Sequence, residues 1–579
     1  MFSLHPLAAV LVATVMNGNV VPAQCGITPL EELRRIEPLA ITTATLRPAE
    51  ATCFTLPLRR GEFIRAGIAI PPGNGSRYVR LRLFAPRADT PLVVIWSWDG
   101  WGFGRQPPAV LAFEAPASAS YLVELSIPPV SWSTTSQVRI EVDEWLSAEQ
   151  YRERQRALRD DPRTRWLRDN AVPLRTVDPR DEDFSDLEFL RDQLAGIRVV
   201  LLGEGSPGHG GGSEQHAKAR LVRFLHRELG FDVLLFEGSL LGHSLGWRAL
   251  RSGVEPRTAF RMGQYRNASL SSHVQPLIEY LAREANSARP LELAGFDDEF
   301  AGTAPRDSLV PRLRQVLRQR GFQDSFGDSA SAATRLLTGL LEGGESFQRQ
   351  RRQLVPEGTR SAVPDSMRET ARRLEHGAPA GDREAVFWAQ VIRSAANRLE
   401  RGLGHYPPHW GSAMAARDRY MAQNLAWLSQ TWYAGRKIIV WAHSIHVIRN
   451  IEETAQRGGY SAGQGLWDAL GEQTFVIGTT VYQGSDGWVL APSDLLPYRT
   501  DLAADRHPGI EFEELMNAAG FERAWVNLRA ARRAGSWLGG PFLARPILAT
   551  AEVARWSEVL DALLFVRTQE PVFGVPERP

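Results

Sequence analysis

An apolar run that ends in a glycine-rich, charged loop is the feature that most constrains how this 579-residue chain can fold. Residues 197–202 predict a buried strand, because a short continuous apolar run is typical of a sheet covered on both faces. Glu204 and His209 follow it, and residues 215–229 then predict an amphipathic helix that ends at Gly230. Open α/β sheets bind ligands beyond the carboxyl ends of their strands. The pattern therefore predicts an α/β fold with a site at this loop.

Three more apolar runs end in polar side chains in the same way. The runs are residues 231–236, 291–296 and 437–441, and the polar residues that follow them are Glu237, Asp297, Asp298, His443 and His446. A single acid at a strand end is commonly a helix N-cap. Four such strand ends together indicate a common rim of functional groups on a mixed, mainly parallel sheet with flanking helices.

These motifs carry a resemblance to a known family. They are Gly203-Glu204-Gly205-Ser206 with His209, residues 217–221, 230–237 and 295–297, Arg417-Asp418 with Asn424, and residues 441–446. In this order they resemble the erythromycin esterase family, over a region from about residue 165 to the end of the chain. The resemblance implies an esterase that hydrolyses a macrolactone.

Carried over position by position, the resemblance implies a catalytic set. Its members are Glu204, His209, Glu237, His443 and His446, with Lys218 at the family's basic position. The family's histidine usually comes three residues after the glutamate, where this chain has Pro207. An insertion of Pro207 and Gly208 aligns His209 with that histidine and makes it the base. His216 on the following helix is the alternative.

The residue types fit ester hydrolysis by an activated water. A neutral imidazole is the side chain best suited to take a proton from water near neutral pH, and a carboxylate can orient it. Cations or N–H donors must then face the oxyanion. The candidates for contacts with the substrate or the oxyanion are Lys218, Arg220, Gly210 and Asp297. The expected partner is a small ester or lactone.

A serine nucleophile is the competing mechanism, and its signature is Gly-x-Ser-x-Gly on a sharp turn between a strand and a helix. Ser206 does not fit, because Pro207 has no N–H to offer an oxyanion. The pattern occurs around Ser244 and Ser461. Ser244 is expected inside a helix, and no strand is predicted directly before Ser461.

Metal catalysis is a second alternative. Imidazole and carboxylate groups hold zinc or manganese, so Glu204, His209, Glu237 and His443 are candidate ligands. No His-Glu-x-x-His motif is present, and the family resemblance implies no obligatory cofactor, although a divalent metal stays open. A metal-dependent peptidase on a similar scaffold and a catalytically silent binding protein are the alternative functions.

Composition and spacing divide the chain. Its 67 basic and 66 acidic residues give a net charge of +1, which provides no electrostatic case for binding nucleic acid or an anionic membrane. Short aromatic and branched strands predict a β-sandwich over residues 24–145. A charged helical linker is expected at 146–165, and a catalytic domain at 166–575 with a helical insertion at about 305–405.

The first 23 residues predict a signal peptide. An apolar run too short to cross a bilayer precedes a small-residue cleavage pattern. An exported protein, periplasmic or secreted, is therefore expected, with a cytoplasmic protein as the alternative. The two cysteines, Cys25 and Cys53, both follow this segment, and a disulfide between them would fit export, whereas two buried thiols would not require it.

Overall fold

The computed structural model describes residues 33–575, except 39–40, 48–49, 70–77, 87, 89–90, 99–108, 128–134, 207–208, 323–330, 357–360, 405–409, 455–458, 487, 490–499 and 502–508. The predicted signal peptide, Cys25 and the proposed Pro207-Gly208 insertion lie outside the described residues. Cys53 is disulfide-bonded. No helix within the described ranges is long and apolar enough to cross a membrane.

Two sheets form the N-terminal part of the described chain. One has the strand order β1-β3-β8-β5-β6 and the other β2-β9-β4-β7, and all pairs but β1–β3 are antiparallel. The strands are β1 (Arg34–Arg35), β2 (Ile41–Leu46), β3 (Ala51–Leu58), β4 (Phe63–Ala69), β5 (Tyr78–Phe84), β6 (Pro91–Trp98), β7 (Ala109–Glu114), β8 (Ala119–Ser126) and β9 (Ser136–Leu146). One cluster of buried apolar side chains includes residues from both sheets. Exposed and buried residues alternate along β2, as expected for a strand with one face on a core.

Two helices connect these sheets to the rest of the chain. Helix α1 (Ala148–Asp160) begins with a capping box between Ser147 and Gln150. Asp161 caps the following helix, α2 (Pro162–Asn170), whose first residue is a proline. Proline suits the first helical position because its missing N–H would have no partner there. The predicted connecting helix is therefore followed directly by a second one.

A mixed, mainly parallel sheet forms the centre of the larger part. Its strand order is β10-β18-β21-β15-β11-β14-β12-β13, with β17 against β15. The strands are β10 (Val172–Pro173), β11 (Val199–Glu204), β12 (Val233–Ser239), β13 (Glu292–Asp297), β14 (Ile438–His443), β15 (Thr474–Asp486), β17 (Thr500–Asp501), β18 (Arg523–Asn527) and β21 (Ala562–Gln569). The neighbours from β21 to β13 are all parallel. Two short pairs lie outside it: β16 (Trp488–Val489) with β22 (Val572–Phe573), and β19 (Phe542–Ala544) with β20 (Glu552–Ala554).

Both faces of this sheet are buried. Val199 and Leu201 of β11 belong to one apolar cluster, and Val200 and Leu202 to another. Successive side chains of a strand point to opposite faces, so a strand buried on both sides must be apolar throughout. This is why these strands appear in the sequence as unbroken apolar runs.

Helices cover the two faces. They are α3 (Leu190–Gln193), α4 (Gly212–Leu229), α5 (Leu240–Arg251), α6 (Pro256–Arg261), α7 (Arg266–Leu270), α8 (Gln275–Glu284), α9 (Ala304–Gln319), α10 (Ala332–Glu342), α11 (Gly344–Leu354), α12 (Val363–His376), α13 (Arg383–Gly402), α14 (Trp410–Trp427), α15 (Ser444–Val447), α16 (Ala462–Leu470), α17 (Phe512–Ala519), α18 (Leu528–Arg533) and α19 (Trp556–Val559). Helices α9 to α14 follow β13 without an intervening strand in the described residues, and their apolar side chains join the same cluster as Val199 and Leu201. The predicted α/β class, with a mainly parallel sheet and flanking helices, is confirmed.

Candidate active site

The four predicted strand ends are neighbours in the central sheet. Strand β14 lies between β11 and β12, and β13 pairs with β12 on its far side. Glu204 is directly opposite His443 in the β11–β14 ladder. Because the strands are parallel, their carboxyl ends meet at one edge and bring Glu204, Glu237, Asp297 and His443 together.

Glu204 binds two other candidates. Its side chain is 1% exposed, and its two carboxylate oxygens contact Nδ1 of His209 and Nζ of Lys218. Lys218 comes from α4 and also donates to the carbonyl oxygen of Ala442 at 2.9 Å. Its ammonium group lies 4.3 Å from the centre of the Trp441 ring. Lys218 thus pairs with the carboxylate that orients His209, while burial lowers the pKa of Lys218 well below its ordinary value.

His209 faces the solvent side of this cluster. Its side chain is 26% exposed, whereas that of Glu237 is 4% exposed, and its Nε2 lies 3.8 Å from Oε2 of Glu237. Since Nδ1 faces a carboxylate, the neutral ring carries its proton there and leaves Nε2 as an acceptor. Burial lowers the pKa of His209, and Glu237 opposes that effect. Nε2 of His209 is therefore suited to accept a proton near neutral pH.

Arg417 of α14 links the remaining acids. Its guanidinium donates to Oε1 of Glu237 at 2.9 Å and to Oδ1 of Asp297 at 3.1 Å. Burial, which alone would raise the pKa of Glu237, is outweighed by His446, His209 and Arg417, so that the pKa lies well below its ordinary value. Glu237 is thus a carboxylate at every physiological pH.

His446 of α15 lies between two carboxylates. Its Nδ1 is 2.9 Å from Oδ1 of Asp418, and its Nε2 is 3.4 Å from Oε1 of Glu237. Burial would lower the pKa of His446, but Asp418 and Glu237 outweigh burial and raise it. The protonated form of His446 is favoured more than in water.

His443 has the opposite electrostatic environment. It is the N-cap of α15, and its Nδ1 accepts a hydrogen bond from the backbone N–H of Ile445 at 3.2 Å. Burial lowers the pKa of His443 well below its ordinary value, and the neighbouring His209 and His446 add to the effect. A neutral ring whose Nδ1 accepts must carry its proton on Nε2. This Nε2 is buried without a partner among the described residues, so it presents an unused N–H donor.

Three residues predicted to contact the substrate or the oxyanion have partners within the protein. Arg220 was expected at the oxyanion, but its guanidinium binds Asp186 and the backbone carbonyl oxygens of Thr176 and Asp183, in the segment before α3. Lys218 was expected there too, but it is paired with Glu204. Asp297 is covered by Arg417 and accepts a hydrogen bond from Tyr265 at 3.2 Å. All three charged side chains thus have partners of opposite charge within the protein.

The other candidates lie apart from the cluster or beside it. Gly210 follows His209 in the same loop. The alternative base, His216, packs its ring against His273, with 4.5 Å between the ring centres. Ser244 lies inside α5 and Ser461 caps α16, so neither occupies a turn between a strand and a helix.

Sequence reasoning missed three residues that support the site. Tyr265 reaches Asp297 from a loop before α7. Glu214 and Gln569 bind the backbone of the loop that carries His209. Glu214, five residues after His209 at the start of the helix, could have been found as an acid in a first helical turn. No sequence pattern near Gln569 predicts its contact with this loop.

The acids of the cluster are bound by basic side chains of the protein. Within the described part of the chain, no group of three or more His, Cys, Asp or Glu side chains is arranged to hold a metal ion. Lys218 occupies one carboxylate oxygen of Glu204, and Arg417 binds Glu237. Both acids thus have a cation of the protein where a metal ion would bind.

Together, the fold and the site define an α/β protein with an imidazole–carboxylate cluster at the carboxyl edge of a parallel sheet. The sequence profile of the erythromycin esterase family matches residues 226–569, more than half of the chain. The chain belongs to the erythromycin esterase family. Glu204, His209 and Lys218 lie before the matched segment.

Similar proteins agree with this assignment. The chain is 26% identical to YbfO of Bacillus subtilis (strain 168), whose name carries a provisional hydrolase assignment, over 55% of this chain and 72% of YbfO. It is 24% identical to erythromycin esterase type II of Escherichia coli, over 55% of this chain and 77% of that protein. Family membership and these names support a hydrolase.

Solved structures share the fold. A Bacillus cereus protein is 18% identical and matches with a TM-score of 0.54, over 73% of this chain and 99% of its own. A mutant of the erythromycin esterase EreC in its open conformation is 19% identical, with a TM-score of 0.50, over 69% of this chain and 97% of its own. At these identities the likeness concerns the fold alone.

Proposed function

We propose that the protein hydrolyses an ester or lactone, with a macrolactone as the first substrate to test, through a water activated by His209. The observation that carries the proposal is the placement of His209. Its Nδ1 contacts the buried Glu204, while Nε2 faces Glu237 from a ring that is partly open to solvent. This arrangement matches a general base with an orienting carboxylate.

The water would bind beside His209 Nε2 and Glu237 Oε2. These two atoms are acceptors 3.8 Å apart, and a water has one O–H for each of them. The water oxygen attacks the carbonyl carbon while its proton moves to Nε2 of His209. The resulting imidazolium is stabilised by Glu204 and Glu237. When the C–O bond breaks, the imidazolium returns the proton to the departing alkoxide, which leaves an acid and an alcohol.

His443 is suited to meet the oxyanion. Its Nε2–H is unpaired and buried, and the low pKa keeps the ring neutral. A neutral imidazole donor pre-positioned in a dry site stabilises developing negative charge without having to lose a bound partner first. Loss of one such donor typically costs roughly 100- to 1,000-fold in kcat.

The proposal extends to the cofactor requirement. Because Lys218 and Arg417 already contact the carboxylates of Glu204 and Glu237, we propose that the reaction needs no metal. Turnover should survive dialysis against a chelator, and loss of turnover that added zinc or manganese restores would favour the peptidase alternative.

The test is mass spectrometry of erythromycin and a panel of simple esters after incubation with the purified protein. Hydrolysis of a lactone adds the mass of one water to the substrate. His209→Asn should reduce kcat/KM by roughly 100- to 10,000-fold, the contribution of a general base. His216→Asn is the matched control, because His216 packs on His273 outside the cluster, and should retain activity.

Two results would contradict the proposal. Turnover that survives in His209→Asn but disappears in His216→Asn would assign the base to His216. No product from any ester, with a folded protein, would leave a binding protein or a peptidase, which a peptide mixture distinguishes.

A further inference from the structure

The loop that carries His209 needs support from outside itself. His209 has φ of +60°, a left-handed conformation that costs about 1–2 kcal/mol for a residue with a Cβ. Such a conformation persists only when the surroundings fix it. The carbonyl oxygen of His209 accepts a hydrogen bond from Nε2 of Gln215 at 2.7 Å, and Gln215 is itself held by Ser271. Further contacts hold the two ends of the loop.

Glu214 fixes the beginning of the loop. This fully buried carboxylate accepts the backbone N–H of Gly205 at 2.9 Å and that of Ser206 at 3.1 Å. It also contacts the hydroxyl of Thr479 on the neighbouring strand β15. One side chain from the start of α4 thereby binds the chain just after Glu204.

Gln569, the last residue of β21, completes this support. Its Nε2 donates to Oε2 of Glu214 at 2.8 Å and to Oγ of Ser206 at 3.0 Å. Its Oε1 accepts the N–H of Ser213 at 2.9 Å and that of Glu214 at 3.3 Å. The amide therefore binds the beginning of the loop with its nitrogen and the first turn of α4, directly after the loop, with its oxygen.

The side chains around this amide are tightly packed. A Cβ at Gly211 would collide with Glu214, Gln569 and Ser206 at once. The backbone N–H of Gly212 also donates to the carbonyl oxygen of Glu570 at 2.7 Å. The end of β21 is thus pressed against the loop over several consecutive residues.

We propose that Gln569 is a positioning residue, which holds His209 in place for proton transfer by fixing both ends of its loop through Glu214, Ser206 and Ser213. This inference rests on the proposed function of His209. Gln569 itself does not touch the substrate. Its effect is on the geometry of the base, and a misplacement of about 1 Å can cost roughly 100-fold in rate.

Two substitutions separate loop positioning from simple capping of α4. Gln569→Met keeps the volume of the side chain but removes every hydrogen bond that the amide makes. Gln569→Glu keeps an oxygen for the N–H groups of Ser213 and Glu214, but it places a second carboxylate where the amide nitrogen met Glu214 at 2.8 Å. If capping were the only role, Gln569→Glu would behave like the wild type.

Positioning predicts a different outcome. Gln569→Met should lower kcat by roughly 10- to 100-fold with KM changed less than about threefold. The kcat of Gln569→Glu should fall by a similar factor at high pH. As the pH falls, its kcat should rise relative to that of the wild type, because the new carboxyl group and that of Glu214 are close enough to share one proton. The acid then donates as the amide did.

The matched control is Gln193→Met. Gln193 accepts a hydrogen bond of 2.9 Å from Nε1 of Trp525, away from the loop, so this variant also loses one glutamine contact. Its kcat should stay within about twofold of the wild type. Unchanged kcat in both Gln569 variants would overturn the positioning role.

A measurement without substrate keeps this inference separate from the proposed function. The ring signals of His209, assigned in an NMR spectrum by their loss in His209→Asn, should shift or broaden in Gln569→Met and stay unchanged in Gln193→Met. Unaltered signals in Gln569→Met would overturn the inference even if esters are hydrolysed. Shifted signals in a protein without esterase activity would support the loop contact and reject only the proposed reaction.

Discussion

His209 and His446 lie in one cluster but have different protonation preferences. His209 is partly exposed and its pKa is lowered, chiefly by burial. His446 lies between Asp418 and Glu237, which raise its pKa against the effect of burial. Burial therefore favours the neutral form of His209, whereas the neighbouring carboxylates favour the protonated form of His446.

The lowered pKa of His209 sets the pH dependence of turnover. A general base must be unprotonated, so activity is present above its pKa and is lost as the pH falls through it. Because that pKa lies below the ordinary value of about 6.5, we expect the acid limb of kcat/KM to have its midpoint below about pH 6.5. A pH series with a soluble ester measures it. A midpoint above that value would contradict the lowered pKa of His209.

His446 and His216 predict opposite effects of pH on stability. The pKa of His446 is raised on folding, so its contribution is fully present below about pH 6.5 and is lost as the pH rises through the folded pKa. Burial lowers the pKa of His216 to about 4. The contribution of His216 to stability is present above about pH 6.5 and is lost as the pH falls toward its folded pKa of about 4.

Urea unfolding of His446→Gln and His216→Gln between about pH 5 and pH 8 checks this. Relative to the wild type, His446→Gln should be most destabilised at the acid end. His216→Gln should gain stability relative to the wild type there. Parallel curves for the two variants would mean that neither ring changes its pKa on folding.

At the scale of elements, Gly203 allows strand β11 and helix α15 to pack closely. A Cβ at this position would lie 2.8 Å from Cγ2 of Val447 and 2.9 Å from Cα of Ser444. Real Cβ contacts are not this short, so only glycine lets β11 and α15 pack this closely. The contact matters because α15 carries His446 and is capped by His443.

We expect Gly203→Ala to move α15 and to lower both stability and activity. Overpacking of this kind costs about 1–3 kcal/mol, which thermal or urea unfolding can measure. Gly540→Ala is the control, because the only atom of the described residues near its Cβ is a carbonyl oxygen 3.5 Å away and its φ of −89° suits any residue. A Gly203→Ala protein with full stability and activity would show that α15 does not depend on this contact.

At the scale of the whole molecule, Glu514 joins the two parts of the chain. Its Oε1 lies 2.7 Å from Arg154 of α1 and 3.7 Å from Arg65 of β4. Arg154 also binds Glu144 of β9 at 2.7 Å. Because Glu514 belongs to α17 beside the central sheet, one largely buried carboxylate connects the N-terminal sheets to the larger part.

Removal of the Glu514 charge should weaken that connection. Glu514→Gln leaves Arg65 and Arg154 with less compensation, and we expect a loss of about 1–3 kcal/mol in the free energy of unfolding. Glu369→Gln, which breaks an exposed ion pair with Arg372, should show no measurable loss. This loss is measured by unfolding experiments that are monitored by tryptophan fluorescence and by circular dichroism. Equal stability of both variants would show that Glu514 does not couple the two parts.

Much of the larger part could be predicted from the sequence. The apolar runs at 197–202 and 437–441 correspond to strands β11 (Val199–Glu204) and β14 (Ile438–His443). They were recognisable because a strand buried on both faces must be apolar at every position. Both strands begin and end later in the chain than predicted, because the ladder continues through Glu204 and His443.

The sequence alone determined which polar residues sit at strand ends, since chain order and apolar periodicity are local properties. Only the tertiary structure decided their partners. Arg220 and Lys218 lie two residues apart on one helix, and about 100° per residue directs them to different faces, one toward Asp186 and the other toward Glu204. Gln569 supports His209 from 360 positions further along the chain. Such a contact depends on how strands β11, β15 and β21 pack side by side, which no local pattern encodes.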